Sequence, residues 1–240
     1  VNLGQLRLHV AQALNVANGA NVNTIAGAER TLLDEYLNEG VEQILLRTKV
    51  NKKTASIALT SGVGDYTVDP IMLAFDDAWI TPGASVGWNP MLERVDSYDI
   101  RQMRQAVGSV ASPSQYYAFE GNVIMLYPSP ATGDTMHIVY TPRPSAMTST
   151  GNDPSVSPYG EIPSEFHWII EQYGLWKMAD YADDGSSQVG QTYASGFERG
   201  ISQMKMLLNK KAGVRSGRAS TSRRNRSGFR APPGVDVRYG

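Results

Sequence analysis

GNVIMLYPSPATGDTMHIVYTPRP, residues 121–144, is the stretch on which the fold turns. Val123–Tyr127 and Met136–Tyr140 are short runs rich in β-branched and aromatic residues. Between them lies PSPATGD, built from turn formers, so the pattern predicts two strands joined as a hairpin. Pro128 and Pro142 close the two strands, because proline has no N–H to give to a ladder. This β-rich centre sits in a chain whose two flanks carry a different period.

Toward the N-terminus the alternation continues. TASIALTSGVGDYTVD, residues 54–69, alternates around Ile57 and Leu59, breaks at Gly62 and Gly64, and resumes at Tyr66 and Val68. This predicts a second hairpin. IMLAF (71–75) and DDAWITPG (76–83) are two further strand candidates. RVDSYDIRQMRQ (94–105) reads as a short helix with Asp96 as its cap and Asp99 three residues on.

Both flanks are helical in period. Leu3, Leu6, Val10, Ala13, Leu14 and Ala17 form one stripe, and NGANVN (18–23) supplies turn residues. A second helix is predicted from about Ala28 to Lys49, with Leu33, Tyr36, Leu37, Val41, Ile44 and Leu45 inward. Asp34, Glu35, Asn38 and Glu42 are expected on its solvated or subunit-facing side. SAMTSTGNDPSVSPYGE, residues 145–161, has no periodicity and reads as loop. Helix resumes at Pro163, a good first-turn residue, with Phe166, Ile169, Ile170, Tyr173, Trp176 and Tyr181 as a buried face. After ADDGSS, a last helix carries Tyr193, Phe197, Ile201, Met204 and Leu208.

The expected class is α+β, mainly α. N-terminal helices (1–50) and C-terminal helices (160–210) pair into a bundle of about four helices. A β-rich insertion (51–150) stands between them, and an extended basic arm (211–240) follows.

Composition narrows the function. A chain of 240 residues buries a real core. No apolar run approaches a membrane span, and the opening VNLGQLRLHVAQALNV does not read as a secretory signal. Cysteine is absent, which removes disulfide frameworks and thiolate metal sites and fits assembly in a reducing cytoplasm. The net charge of −1 hides an asymmetry. Residues 205–240 hold ten Lys or Arg against Asp236 alone, which leaves twelve basic and twenty-two acidic residues in 1–204. An acidic body with a basic end is suited to touch a partner with that end.

No constellation for catalysis, cofactor or metal emerges. His9, His137 and His167 fall on different elements without metal-ligand spacing, and each is expected at the surface or partly packed. The carboxylate pairs Asp34/Glu35, Asp76/Asp77 and Asp183/Asp184 point apart on a helix or lie at turns. Gly62-Val63-Gly64 lacks the lysine of a phosphate loop and reads as a hairpin turn. Gly196 and Gly200 read as a close helix contact, and Trp168, Tyr173 and Trp176 as core.

The closing stretch, RSGRASTSRRNRSGFRAPPGVDVRYG (215–240), therefore carries the binding expectation. Arg215, Arg218, Arg223, Arg224, Arg226 and Arg230 would suit phosphates or an acidic protein surface. Phe229, the Ala-Pro-Pro-Gly stop and the alternating Val235, Val237, Arg238 and Tyr239 would suit strand addition to a partner sheet. The alternative is a nucleic-acid-binding protein that uses this arginine-rich tail.

MLERVDSYDIRQM, SPSQYYAFEGNVIMLYPSPATGDTMHIVYTPRP and EIPSEFHWIIEQYGLWKMADYADD together resemble the head-to-tail adaptors, or connector proteins, of tailed bacteriophages. The shared features are Pro113, the pair Tyr116 and Tyr117, Gly121, the strand end Tyr127-Pro128-Ser129-Pro130, and Tyr140 followed by Pro144. The likeness covers roughly residues 3–210. It implies a non-enzymatic structural protein of the virion neck, assembled in the host cytoplasm, with no cofactor and no membrane. Its implied partners are the portal protein, downstream tail or neck proteins, and neighbouring copies in a ring of about twelve. DNA would pass through the channel without specific binding, helped by the acidic body. The C-terminal segment would grip the portal, with residues 212–240 ordering on docking.

Overall fold

The computed structural model describes residues 1–14, 27–68, 72–81, 83, 92–108, 113–130, 133–182 and 188–223. Among them, α1 (Leu3–Ala13), α2 (Gly27–Thr48), α4 (His167–Ala182) and α5 (Gln188–Arg223) are long helices. Between α2 and α4 lie β1 (Lys53–Ala58), β2 (Asp65–Thr67), β3 (Met72–Thr81), β4 (Glu93–Arg94), α3 (Ser97–Val107), β5 (Tyr116–Glu120), β6 (Val123–Tyr127) and β7 (Thr135–Pro142). The class is mixed α+β, with helices from both chain ends flanking a β-rich centre. NGANVN and Asp183/Asp184 lie outside the described residues.

The helices share one core. Leu3, Leu6 and Val10 of α1, Leu33, Leu37 and Ile44 of α2, Ile169, Ile170 and Tyr173 of α4, and Phe197 and Met204 of α5 are buried together. The inward stripes are broadly those the period predicts, but Ala13 is exposed, Leu14, Tyr193 and Leu208 are half-buried, and Ala17 lies outside the described residues. Tyr36 is only half-buried, and Tyr181 is 61% exposed. Trp168 and Trp176 pack at the edge of this core. Asn2 caps α1 through a reciprocal pair with Gln5, each backbone N–H finding the other's side-chain oxygen at 3.0 Å.

Helix α4 approaches its neighbours closely because glycine stands at the crossings. A Cβ on Gly40 would lie 3.2 Å from the Tyr173 side chain, and one on Gly174 would lie 3.0 Å from Leu37. A Cβ on Gly200 would lie 2.7 Å from Ile169 and 2.9 Å from Trp168. One on Gly196 would collide with Gln172. The Gly196/Gly200 pair is the close helix contact its spacing implies.

The β-rich centre corrects the expected pairings. β1, β7 and β3 form one antiparallel sheet in the order β1-β7-β3, and β2, β6, β5 and β4 form a second. The expected hairpin between Val123–Tyr127 and Met136–Tyr140 is not formed, because β6 and β7 belong to different sheets. Pro128 and Pro130 deny the ladder its donors just past β6. The two-residue turn Gly121-Asn122, with Gly121 at φ +61°, offers β6 a nearer partner in β5. The second expected hairpin fails for the same reason, since β1 pairs with β7 and β2 with β6. The two crossings run side by side: Leu59 N–H donates to Asp134 O at 2.9 Å and Gly62 N–H to Pro130 O at 3.3 Å. IMLAF and DDAWITPG are not two strands. They supply one bent strand, β3, with register shifts at Met72/Ala74 and Phe75/Asp77.

Tyr117, Ile124 and Leu126 of one sheet pack on Ala78, Ile80, Met136 and Ile138 of the other. Phe75 joins them, stacked on Phe119 at 5.2 Å between ring centres. The opposite face of the second sheet, Ala118 and Met125, is covered by Ile100 of α3. Burial on both faces explains why VIMLY is continuously apolar rather than alternating. α3 starts at its expected cap, where Asp96 Oδ1 accepts from Tyr98 N–H at 3.3 Å.

Replacing Gly200 by Leu tests the crossing. Helix propensity alone would stabilise α5 by about 1 kcal/mol. The clash with Ile169 and Trp168 should outweigh it, for a net loss of roughly 1–3 kcal/mol in urea unfolding. Gly151→Ala, where a Cβ meets nothing within 4 Å, should leave the midpoint unchanged.

Candidate functional site

The chemistry-bearing residues are used structurally. His9 Nδ1 lies 2.7 Å from Glu171 Oε1. His137 stacks on Trp79 at 5.2 Å and its Nδ1 meets Ser56 Oγ at 2.9 Å, on the outer face of the first sheet. His167 corrects the expectation of a surface or partly packed residue, because it is 1% exposed. Burial lowers its pKa, opposed by the Ile162 carbonyl 3.1 Å from Nε2. No group of three His, Cys, Asp or Glu among the described residues is placed to hold a metal ion. No described helix is long and apolar enough to cross a membrane.

Residues 143–163, which lack any period, form a strap across the helices. Asn38 brackets Met147, accepting from its N–H at 2.7 Å and donating to its carbonyl at 3.2 Å. Asn51 donates to Gly160 O at 3.1 Å. The unpaired amides at the start of α1 are also met by the strap: Leu3 N–H reaches Asn152 O at 2.8 Å and Gly4 N–H reaches Thr150 O at 3.1 Å. Met147 and Ile162 enter the helical core. Asp34 and Asn38 were expected on a solvated or subunit-facing side of α2. Asn38 holds the strap instead, and Asp34 takes the buried Arg7 guanidinium at 2.5 and 2.6 Å.

The joint between helices and sheets is ionic. Asp76, expected at a turn, lies within β3 and receives the Lys49 ammonium and, at 3.1 Å, that of Lys52. Burial alone would raise the Asp76 carboxyl, but hydrogen bonds from the two lysines hold it below the ordinary carboxylate range. Lys53 pairs with Glu161 of the strap at 2.7 Å. Nothing in the local sequence around Asp76 marks this role, since Lys49 and Lys52 reach it only through the fold.

Two charged surfaces remain open. One gathers Glu35, Glu39 and Tyr36 of α2 with Asp180 and Tyr181 of α4. Burial raises the Tyr36 hydroxyl pKa, and these carboxylates and Tyr181 push it further. Burial and the nearby Glu39 likewise raise that of Tyr173. The other follows α5, where Arg199, Lys205, Met206 and Leu207 are exposed. The helix extends past the expected end near Leu208 to Arg223. The expected extended arm of 211–240 is thus helical over 211–223. That stretch contains Ala, Lys and Arg, which favour helix, and no proline. Arg215, Arg218 and Arg223 therefore sit on the α5 backbone. Arg224, Arg226, Phe229, Arg230, Val235, Val237, Arg238 and Tyr239 lie outside the described residues.

Comparison with known proteins gives one family: the model described as SU10 adaptor protein matches residues 1–227, nearly the whole chain. No curated protein matches the sequence.

The joint yields a pH-dependent prediction. A carboxyl whose pKa is depressed on folding contributes stability above its unfolded value, and that contribution is lost as pH falls through the folded value. Asp76→Asn should therefore cost about 1–3 kcal/mol at pH 7 in urea unfolding. The difference from wild type should shrink below about pH 4.

Proposed function

The chain belongs to the SU10 adaptor protein family of phage head–tail adaptors, and from that premise we propose that it is a ring-forming connector beneath the portal. Its copies, about twelve by likeness to such adaptors, pack their helices side by side around a channel. The β-rich centre contacts neighbouring neck or tail proteins. The C-terminal segment, from the end of α5 through Tyr239, grips the portal. Duplex DNA passes through without specific binding, and like charge on the acidic body keeps it from adhering.

The family match across residues 1–227 is the observation that carries this reading. Three further features support it. Several polar side chains capable of chemistry have structural partners: Asp76 takes two lysines at the joint, Asp34 takes Arg7, and His9 and His137 meet Glu171 and Ser56. The excess of positive charge falls in the sequence between Lys205 and Arg238, whereas residues 1–204 are net acidic. Many weak tails bound together to one portal ring would give avidity.

Imaging by negative stain, with and without the cognate portal, tests the assembly. Rings on the portal are expected, and their absence overturns the reading. A chain ending at Arg223 should keep its unfolding midpoint yet no longer co-sediment with portal. Retained co-sedimentation would remove the gripping role from 224–240. Tight binding of duplex DNA with a steep salt dependence, abolished by that truncation, would favour the nucleic-acid role instead.

A further inference from the structure

An apolar groove of about 300 Å³ opens between α1, α2 and α4, floored by Val10, Leu14, Leu33 and Met178 and edged by Tyr181. Glu29 lies on its rim, and Glu35 and Asp180 lie close by, around Tyr36 and Tyr181. The outer face of α5 is its chemical counterpart. Met206 and Leu207 are 54% and 47% exposed, flanked by exposed Arg199 and Lys205. Neither these cations nor Glu29, Glu35 and Asp180 has an ion-pair partner among the described residues.

The two surfaces cannot meet within one chain. Gly196 lies against Gln172 and Gly200 against Ile169, so α5 runs antiparallel to α4. At 1.5 Å per residue, Met206 stands about 25–30 Å along the helix axis from Asp180. Both helices are packed in the same core, so neither can slide that far.

We propose that the Arg199/Met206 face of α5 docks in the α1/α2/α4 groove of a second copy. Met206 meets the apolar floor and Leu207, about a quarter-turn round the helix, meets one wall. Arg199, about two turns earlier on the Met206 face, and Lys205, on the flank away from Leu207, meet Glu29, Glu35 and Asp180 at the rim. The contact is heterologous, so every copy keeps one free groove and one free ridge until rotation closes a ring. The apolar pair supplies affinity through burial and the charges set orientation and register. This assignment rests on the ring reading above and names the surfaces that would build it.

The chain contains no cysteine, so introduced thiols report the contact cleanly. Met206→Cys chains mixed with Tyr181→Cys chains under mild oxidation should form disulfide dimers at least about tenfold faster than Met206→Cys mixed with Val156→Cys, whose site is equally exposed on the strap. Equal rates overturn the interface. Arg199→Glu/Lys205→Glu should abolish the rapid cross-link and the rings on portal, and Glu35→Lys/Asp180→Lys in the partner chain should restore both. Circular dichroism checks that each variant is folded. Rings on portal that persist in Arg199→Glu/Lys205→Glu overturn this interface but leave the adaptor reading intact. Wild-type chains that form no ring on portal overturn that reading instead. Loss of duplex DNA binding in Arg199→Glu/Lys205→Glu, with unchanged cross-linking, reassigns the ridge to nucleic acid and also overturns the proposal.

Discussion

Helix α4 packs against α1, α2 and α5 at once, and the absence of side chains at Gly40, Gly174, Gly196 and Gly200 lets it do so. The interior of a protein is packed to near-crystal density, so a single extra methyl at such a crossing must displace something. Because α4 is fixed, Tyr173 finds Phe197 at 5.0 Å and Trp176 at 5.5 Å in edge-on contact. Phe197 in turn receives the Arg47 guanidinium 5.4 Å above its ring. The positions of α1, α2 and α5 depend on this central helix, and so does the direction in which α5 leaves the body.

The β-rich centre is tied to that frame mainly through polar contacts. Asp76 with its two lysines, Lys53 with Glu161, and the strap held by Asn38 and Asn51 make the connection. Leu73 is an apolar contribution from β3 to the helical core. The sheets bury their own core between them and use α3 to cover a second face. A unit with its own core and a polar joint can present a surface to one partner while the helices serve another. That division suits a protein that joins unlike assemblies.

Charge is arranged along the same axis. Carboxylates collect on α2 and the end of α4, and cations on the far half of α5. Among the described residues, Arg199 and Lys205 of α5 form no ion pair with Glu29, Glu35 or Asp180. Copies set head to tail, as proposed above, would bring them together.

Much of this was legible in the residues. The helical stripes of α1, α2, α4 and α5, the cap at Asp96, the strand spans Val123–Tyr127 and Met136–Tyr140, and the close contact at Gly196 and Gly200 follow from period, capping chemistry and glycine spacing. The resemblance to phage adaptors also rests on residue order in the centre of the chain. Strand partnership was not legible. Sequence period marks which residues alternate, but β6 and β7 each had several partners of equal pattern, and prolines at 128 and 130 with a two-residue turn at 121–122 selected among them only in three dimensions. The strap was hidden because its hydrogen bonds are long-range and leave no period, as with Asn38 and Met147, 109 residues apart. Asp76 and its lysines are separated by two strands, β1 and β2, and the turns that join them. The sequence by itself determined most of the helix and strand segments and which end of the chain is basic, since local backbone preference and composition carry those facts. It did not determine the helix over 211–223 or the single strand β3. Only the tertiary structure decided which strands pair, which polar residues hold the strap and joint, and which charges are left open, because those depend on distances that packing alone sets.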